Sequence, residues 1–490
     1  MPRPVVLIHG YSASSSDFDK FIPALRKQGV DPLEISVCNY ISLNNEITVR
    51  DIAEGFDRSL RSHNSLKDGQ EFDAIVHSTG MLVLRTWLTQ YGTKVSTERL
   101  QRVKHIIGVA PATWGSPQAH KGRTWLGAMI KGNRQMGPDF MEAGDLVLDA
   151  LELGSRYTWD LAHADLLGEG DQPPCYREDN QTPWVAVFVG NQPYDGVASV
   201  ANEPGTDGTV RWAGCGLNTR KITLDLTRNA DDRVTISKWG DRLNIQPIAV
   251  NGRNHGTIIQ DPEDGMMKLI RRFLNVGQPG GESYDDWSKA ATDYGARGLK
   301  KMKTGSGADS GTLAGKAGSM INRLFHPGGD AIEGWQQFVV RARDERGDPI
   351  TDYMLEIEFQ ERNKTWKKFE QMYTSCHPYS TDASFRCFHI RLGEGLSASN
   401  VPIRARVSAH TGSELIAYQG YDSDGNGFTM QTGTDALGEA IVIRVDNDLG
   451  QQKGSFFYPF TTTLVEIILN REPVPLDGES KLVTLRDLEG

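Results

Sequence analysis

The sequence predicts a doubly wound, mostly parallel α/β sheet followed by an all-β sandwich. Three observations predict it. Over the first 275 residues short apolar runs alternate with amphipathic ones, the signature of buried parallel strands joined by helices. A stretch rich in Gly, Ser and charge then interrupts the chain. Beyond it the apolar period changes to two, the period of half-buried antiparallel strands.

Each element has its own signal. PVVLIHG (Pro4–Gly10) reads as a buried strand, and Phe18–Lys27 as a helix. LEISVCNY (Leu33–Tyr40) is a second strand. Ile47–Leu60 carries apolar residues at three-four spacing, so it is a helix with one buried face. FDAIVHS and Met81–Tyr91 repeat the strand–helix pair, and VKHIIGVAP (Val103–Pro111) is the next strand. From about 113 to 180 the alternation breaks into two helix-like segments, TWLGAMIKG and FMEAGDLVLDALELGSRYTWDLAHADLL, a helical insertion in the sheet. WVAVFVGN (Trp184–Asn191) resumes the sheet, residues 211–243 form an insertion with a strand at KITLDLT, NIQPIAVNG is the following sheet strand, and MMKLIRRFL is the closing helix.

Residues 276–334 contain NVGQPGGESYDD and TGSGADSGTLAGKAGS and read as a Gly-rich linker with one weak helix near 321–325. Residues 335–490 include FVVRARDERGDPITDYMLEIEFQE, VPIRARVSAH, EAIVIRVDND and TTTLVEIILN, alternating strands with Asp/Gly/Asn turns. The expected organisation is therefore an α/β domain over 1–275, a linker over 276–334 and a β-sandwich over 335–490.

A chain of 490 residues exceeds what one hydrophobic core serves, which agrees with more than one domain. Its net charge of -10 argues against nucleic acid and against electrostatic attachment to anionic lipid. No apolar run approaches the roughly 20 residues that span a bilayer. MPRPVVLIHG reads as a strand and turn rather than a leader, so a cytoplasmic location, or export by a route that needs no signal peptide, is expected. Five Cys without CxxC spacing suit structural thiols in a reduced compartment; Cys376 and Cys387 are the pair that export would bring into question.

Ester hydrolysis by serine needs a nucleophile, a base, an acid that orients the base, and N–H donors for the oxyanion. Ser78 stands at a strand-to-helix turn in VHSTG, with Gly80 two residues on; Val76 occupies the position where Gly-x-Ser-x-Gly has its first glycine. A Val is tolerable there if the facing segment is small. His9-Gly10-Tyr11-Ser12 follows the first strand and can bring a backbone N–H beside Ser78. The Tyr11 and Thr79 amides are thus the expected oxyanion donors, the second at a helix N-terminus that favours an anion. His9 reads as a structural brace. His255, in GRNHGTIIQDP after an apolar strand, falls at the carboxyl edge of the sheet and is the candidate base. Two acids compete for the third place, Asp207 in EPGTDGTVRWAG and Asp195 in PYDGVAS.

Together, VVLIHGYS, VHSTG, VAPATWGSP, LELGSRYTWDL, GTDGTV and NHGTI make residues 1–275 resemble the lipase group of the α/β-hydrolase superfamily, especially bacterial lipases and the lecithin:cholesterol acyltransferase-like enzymes. The resemblance favours Asp207 over Asp195. It implies an α/β-hydrolase fold and carboxylic-ester hydrolysis through an acyl-enzyme on Ser78, with Asp207 and His255 completing the triad. The sheet would begin at the strand before the oxyanion loop, without the first two strands of larger hydrolases. The insertion over 113–180 would be a lid. Trp125, Leu126, Met129, Ile130 and Phe140, with Met141, Leu146, Leu148 and Leu151, would line an acyl pocket.

The expected function is that of a lipase or phospholipase. The alternatives are an antibacterial phospholipase effector secreted without a signal peptide, an acyltransferase, and a non-catalytic scaffold. No cofactor is expected. In DSDGNGF, Asp422, Asp424 and Asn426 match the start of a calcium loop, but position twelve is Gly433 rather than Glu, and an ordinary Asp/Gly turn is the favoured reading. Expected partners are a lipid or ester substrate, a transient lipid surface, no nucleic acid, and a protein partner for the β domain. The aromatics of SFFYPF suit either a contact with a lipid surface or partner or, equally, closure of the sandwich.

Overall fold

The computed structural model describes residues 3–30, 35–122, 144–167, 176, 182–195, 199, 202–229, 234–236, 247–304, 334–360, 365–368, 373–392, 403–422, 428–431, 441–444, 457–474 and 481–488. The chain divides into two compact units. The first comprises Met1–Thr219, Gly240–Lys316 and Pro459–Thr462; the second comprises Arg220–Trp239, Ala317–Tyr458 and Thr463–Gly490.

The first unit is built on a parallel sheet of β1 (Val5–Ile8), β2 (Ile35–Cys38), β3 (Phe72–His77), β4 (Val103–Val109), β5 (Trp184–Gly190) and β8 (Ile248–Val250), in the order β2-β1-β3-β4-β5-β8. All residues of β1 and β3 are buried, as the continuous apolar runs require of strands covered on both faces. Helices α1 (Phe21–Lys27), α2 (Val49–Ser62) and α3 (Gly80–Leu88) follow β1, β2 and β3. A capping box starts α2: the Asp51 N–H donates to Thr48 Oγ1 and the Thr48 N–H to Asp51 Oδ2, and the Thr48 contacts hold the Asp51 carboxyl below the usual range. This is the α/β-hydrolase arrangement expected from the sequence.

α3 has no polar face, and every residue from Gly80 to Leu88 is buried. Its one charge, Arg85, forms a two-pronged ion pair with Asp165 at 2.7 and 2.8 Å and donates to the Thr113 carbonyl at 2.7 Å. Tyr176 donates a further hydrogen bond to the same carboxylate. The insertion contributes the helices Asp145–Leu151 and Arg156–Asp165, so Arg85 ties the second of these to α3.

Residues 276–334 differ from the expected linker. Tyr284–Thr304 is a helix of 21 residues with Trp287, Ala291 and Met302 buried. The Gly- and Ser-rich stretches at either end make the segment read as a linker, and Gly295 and Gly298 within it weaken its intrinsic helix propensity by about 1 kcal/mol each. The same glycines let the helix lie close on β8, where a Cβ at Gly298 would meet Ala249 Cβ at 2.8 Å. Residues 305–333, including the weak helix expected near 321–325, lie outside the described residues.

The second unit is a sandwich of two antiparallel sheets. One has the order β11-β10-β14-β17, formed by β10 (Tyr353–Gln360), β11 (Trp366–Lys368), β14 (Ile403–Ala409) and β17 (Ile441–Arg444). The other has the order β12-β13-β9-β18-β15-β16, formed by β9 (Gly334–Asp344), β12 (Tyr373–Pro378), β13 (Phe385–Leu392), β15 (Ile416–Tyr421), β16 (Phe428–Gln431) and β18 (Thr461–Pro473). Phe338, Val340 and Ile467 from the second sheet share a core with Ile357, Val407 and Ile441 from the first. The sandwich also takes a hairpin from far upstream: β6 (Thr219–Asp225) pairs with β7 (Val234–Ile236) and with β18. The boundary expected at 335 therefore misses this hairpin, whose Ile222 and Leu224 join the core.

Of the two readings of SFFYPF, the burial of Phe457 and Phe460 favours the one in which these aromatics close the fold. Cys376 lies opposite Phe388 and Cys387 opposite His377, which puts the two cysteines on opposite faces of their strand pair; no disulfide joins them. Asp422 Oδ2 accepts the Val442 N–H, while Asp424 and Asn426 lie outside the described residues. Among the described residues no helix is long and apolar enough to cross a membrane, and no cluster of three or more His, Cys, Asp or Glu could hold a metal ion.

Candidate active site

β1 is flanked by β2 and β3, so the chain reverses its direction of growth across the sheet at the β1–β3 crevice. In open α/β sheets that is where ligands bind, beyond the strands' carboxyl ends. Ile8 is in register with Val76, and the residues after them leave the two strands side by side. A Cβ on Gly10 would lie 2.8 Å from Ser78 Cβ and 3.4 Å from its Oγ; one on Gly80 would lie 2.6 Å from the Ile8 carbonyl oxygen. The loop after β1 and the turn after β3 thus touch through two glycines.

Ser78 has φ 53, in the left-handed region that costs a non-glycine residue on the order of 1–3 kcal/mol. The surroundings hold it there. The Ala112 and Met81 amides donate to the Ser78 carbonyl at 3.0 and 3.2 Å, and α3 is anchored by its full burial. Val76, the departure from Gly-x-Ser-x-Gly, is paired in register with Gly108 on β4. The small neighbour is on the adjacent strand: a side chain at 108 would meet Pro111 at 2.8 Å and Met81 at 3.1 Å.

His255 is placed by the loop after β8, where Asn254 Oδ1 accepts the Gly256 and Thr257 N–H groups and so starts the short helix Thr257–Gln260. Its Nε2 is 3.0 Å from Ser78 Oγ, and its Nδ1 is 3.0 Å from Asp207 Oδ2. Asp207 is wholly buried, and its Oδ1 accepts the Thr209 and Val210 N–H groups at 3.0 and 2.9 Å. A carboxylate accepting at Nδ1 places the proton of a neutral imidazole there, leaving the Nε2 lone pair toward the serine. Such a chain can take the serine proton as the oxygen attacks a carbonyl. Asp195, the rival acid, is exposed, and the carboxylate that meets His255 is that of Asp207.

The acid loop is pinned from two sides. Ser116 Oγ donates to the Thr209 carbonyl at 2.6 Å, and the Tyr194 hydroxyl is 2.8 Å from Thr209 Oγ1. Burial pushes the Tyr194 phenol up to about 12, so it stays a neutral hydroxyl.

Thr79 caps α3, and nothing among the described residues accepts its backbone N–H. Tyr11 lies on the facing loop. The next residue, Ser12, is fixed at φ 56 with its N–H donating to Ser42 Oγ at 2.8 Å. His9 braces this loop as expected: Nδ1 meets the Gly10 carbonyl at 2.8 Å, Nε2 accepts the Tyr40 N–H at 3.1 Å, and the ring stacks on Tyr40. Burial lowers its pKa, in keeping with a neutral brace.

Of the expected pocket lining, Trp125, Leu126, Met129, Ile130, Phe140 and Met141 lie outside the described residues. Leu148 and Leu151 are buried, whereas Leu146 is exposed. Sequence reasoning missed His77. Its Nε2 is 3.1 Å from the His255 carbonyl, and its ring centroid is 4.9 Å from that of His255. Burial, aided by the His255 imidazole, pushes His77 down to about 3. The available signal was its place beside Ser78, the last residue of an otherwise apolar strand end.

No family model matches the chain, and no curated protein matches it. Among solved structures, phospholipase PlaB from Legionella pneumophila is similar over 99% of this chain and 97% of its own, with a TM-score of 0.68 and 22% identity. The same protein in complex with thio-NAD gives the same values. Lipase BlEst2 from Bacillus licheniformis, in its mature form, aligns over 53% of this chain and 86% of its own, with a TM-score of 0.34 and 15% identity. The likeness to PlaB is one of fold.

Proposed function

We propose that the chain is a serine carboxylic-ester hydrolase acting on fatty-acyl esters, a lipase or phospholipase. The observation that carries the proposal is the continuous Ser78–His255–Asp207 hydrogen-bond chain, with 3.0 Å at each step, ending on a serine held at φ 53. Ser78, Asp207 and His255 also run in the chain order of α/β-hydrolase triads.

In this reading His255 Nε2 takes the Ser78 proton as Oγ bonds to the acyl carbon. The carbonyl oxygen gains the negative charge, and the Thr79 and Tyr11 N–H groups hold it. The tetrahedral adduct collapses, the ester C–O bond breaks, and the proton on Nε2 goes to the departing alcohol. Water then repeats the sequence: His255 takes its proton, the hydroxyl attacks the acyl-enzyme, and the proton returns to Ser78 Oγ as the fatty acid leaves. Asp207 keeps the imidazole oriented and stabilises it while charged.

Lipid esters are the substrate class we favour because PlaB, which shares the fold over nearly the whole chain, is a phospholipase. The test is a panel from p-nitrophenyl esters through triglycerides to phospholipids, run with wild type and Ser78→Ala, together with labelling by an alkyl fluorophosphonate. Hydrolysis and a single label on Ser78 are expected in the wild type, and neither in the variant. A folded Ser78→Ala protein that still cleaves the esters would refute the reading.

A further inference from the structure

Every polar group of His255 has a partner. The backbone N–H donates to the Asp207 carbonyl at 3.0 Å, Nδ1 meets Asp207 Oδ2, and Nε2 meets Ser78 Oγ. The fourth group, the carbonyl, accepts from His77 Nε2 at 3.1 Å. Three contacts therefore lie inside the proposed triad, and one reaches outside it, to the residue covalently joined to the nucleophile.

The geometry points to His77 as a positioning residue that fixes the distance between the base and the serine. A carbonyl can only accept, so Nε2 of His77 carries the hydrogen and Nδ1 has a bare lone pair. That Nδ1 is buried and has no hydrogen-bond partner. It faces the loop after β1, where a Cβ on Gly10 would lie 3.3 Å away. The ring is thus wedged between two loops, with its bare nitrogen toward Gly10 and its one donor on the His255 backbone. An apolar side chain would fill that wedge without burying an unpartnered nitrogen, so packing alone does not account for an imidazole here. The hydrogen bond to His255 does. It joins the end of β3 to the loop after β8, strands that are not neighbours in the sheet. Because His77 remains neutral, it adds no charge against the imidazolium that forms on His255 during turnover.

This inference rests on the proposed hydrolase reading, and two substitutions separate its failure from a failure of that reading. His77→Gln keeps a donor nitrogen at the same number of bonds from Cα, whereas His77→Met keeps the volume without a donor. Steady-state kinetics on a soluble p-nitrophenyl ester, with the melting temperature recorded for each variant, should show kcat lowered about ten- to a hundred-fold in His77→Met, the scale of a misplaced catalytic group. KM should stay nearly unchanged. His77→Gln should recover most of kcat. Full activity in His77→Met overturns the inference, as does an equal loss of kcat in both variants. If Ser78→Ala also retains hydrolysis, the hydrolase reading itself has failed.

Discussion

Asp207 grips His255 twice: its Oδ2 meets the imidazole Nδ1 at 3.0 Å, and its carbonyl oxygen accepts the His255 backbone N–H, also at 3.0 Å. The main-chain contact survives any side-chain substitution, so the acid's carboxylate can be tested without releasing the loop that carries the base. Asp207→Asn should leave the melting temperature nearly unchanged and lower kcat on a soluble ester by about 10⁴-fold, the effect of losing the oriented tautomer. Asp195→Asn should stay within about two-fold of wild type. A large loss at 195 with none at 207 would reverse the assignment.

Restoring the first glycine of Gly-x-Ser-x-Gly should do harm. Val76 is fully buried and Gly108 already supplies the small neighbour. Val76→Gly removes buried methyls and loosens a central strand, a cost of about 2–4 kcal/mol. Urea unfolding should show that loss, with no gain in kcat; an unchanged midpoint would mean that the site readily collapses around the smaller residue.

Gly80→Ala sets helix propensity against contact. Alanine favours the helix by about 1 kcal/mol. Its Cβ, however, would sit 2.6 Å from the Ile8 carbonyl oxygen and 2.9 Å from that of His9, and both are backbone atoms. The clash should win, destabilising by about 1–3 kcal/mol and lowering kcat because the displaced turn carries Ser78. A higher melting temperature with full activity would show that the two loops part without cost.

Stability should fall on acidification through His77. Its folded pKa is about 3 against an ordinary 6.5, so between these values the unfolded chain binds the extra proton. The native state therefore loses up to about 1.4 kcal/mol per pH unit as pH drops below about 6.5. Comparing urea midpoints at several pH values, His77→Gln should show a shallower decline than wild type. Parallel curves would mean that His77 does not carry this dependence.

Arg85→Met should cost about 3–5 kcal/mol, since it strands the buried Asp165 carboxylate. Thermal unfolding measures this directly, and a loss below about 1 kcal/mol would mean that water or a rearranged side chain reaches the acid.

Much of this architecture was legible in the sequence. Continuous apolar runs identified the parallel strands, and the three side chains that converge were each marked by a strand end, a turn and a polar loop motif. Val76 and Gly108 show where local reading stops: the small residue that accommodates the turn lies on another strand, and register is not written in a pentapeptide. His77 was overlooked because its partner is a backbone carbonyl, and a carbonyl has no residue type to search for. The helix Tyr284–Thr304 hid between Gly- and Ser-rich stretches, and the weak propensity of its own glycines is outweighed by close packing on β8. Arg85 is the single charge in an apolar helix, a signal the sequence reading did not use, and only the fold selects Asp165 among the acids.

The hairpin of β6 and β7 has a consequence for biogenesis. The Leu226 N–H donates to the Ile468 carbonyl, a group the ribosome makes roughly 240 residues later. At about 5–20 residues per second, this strand waits on the order of ten seconds or more for its mate. During that interval Ile222, Leu224 and Leu226 have no sandwich to enter, and a sticky edge hangs from a nascent chain. Folding helpers that shield apolar strands should engage this protein co-translationally at that hairpin, and slowing elongation should lengthen the exposure.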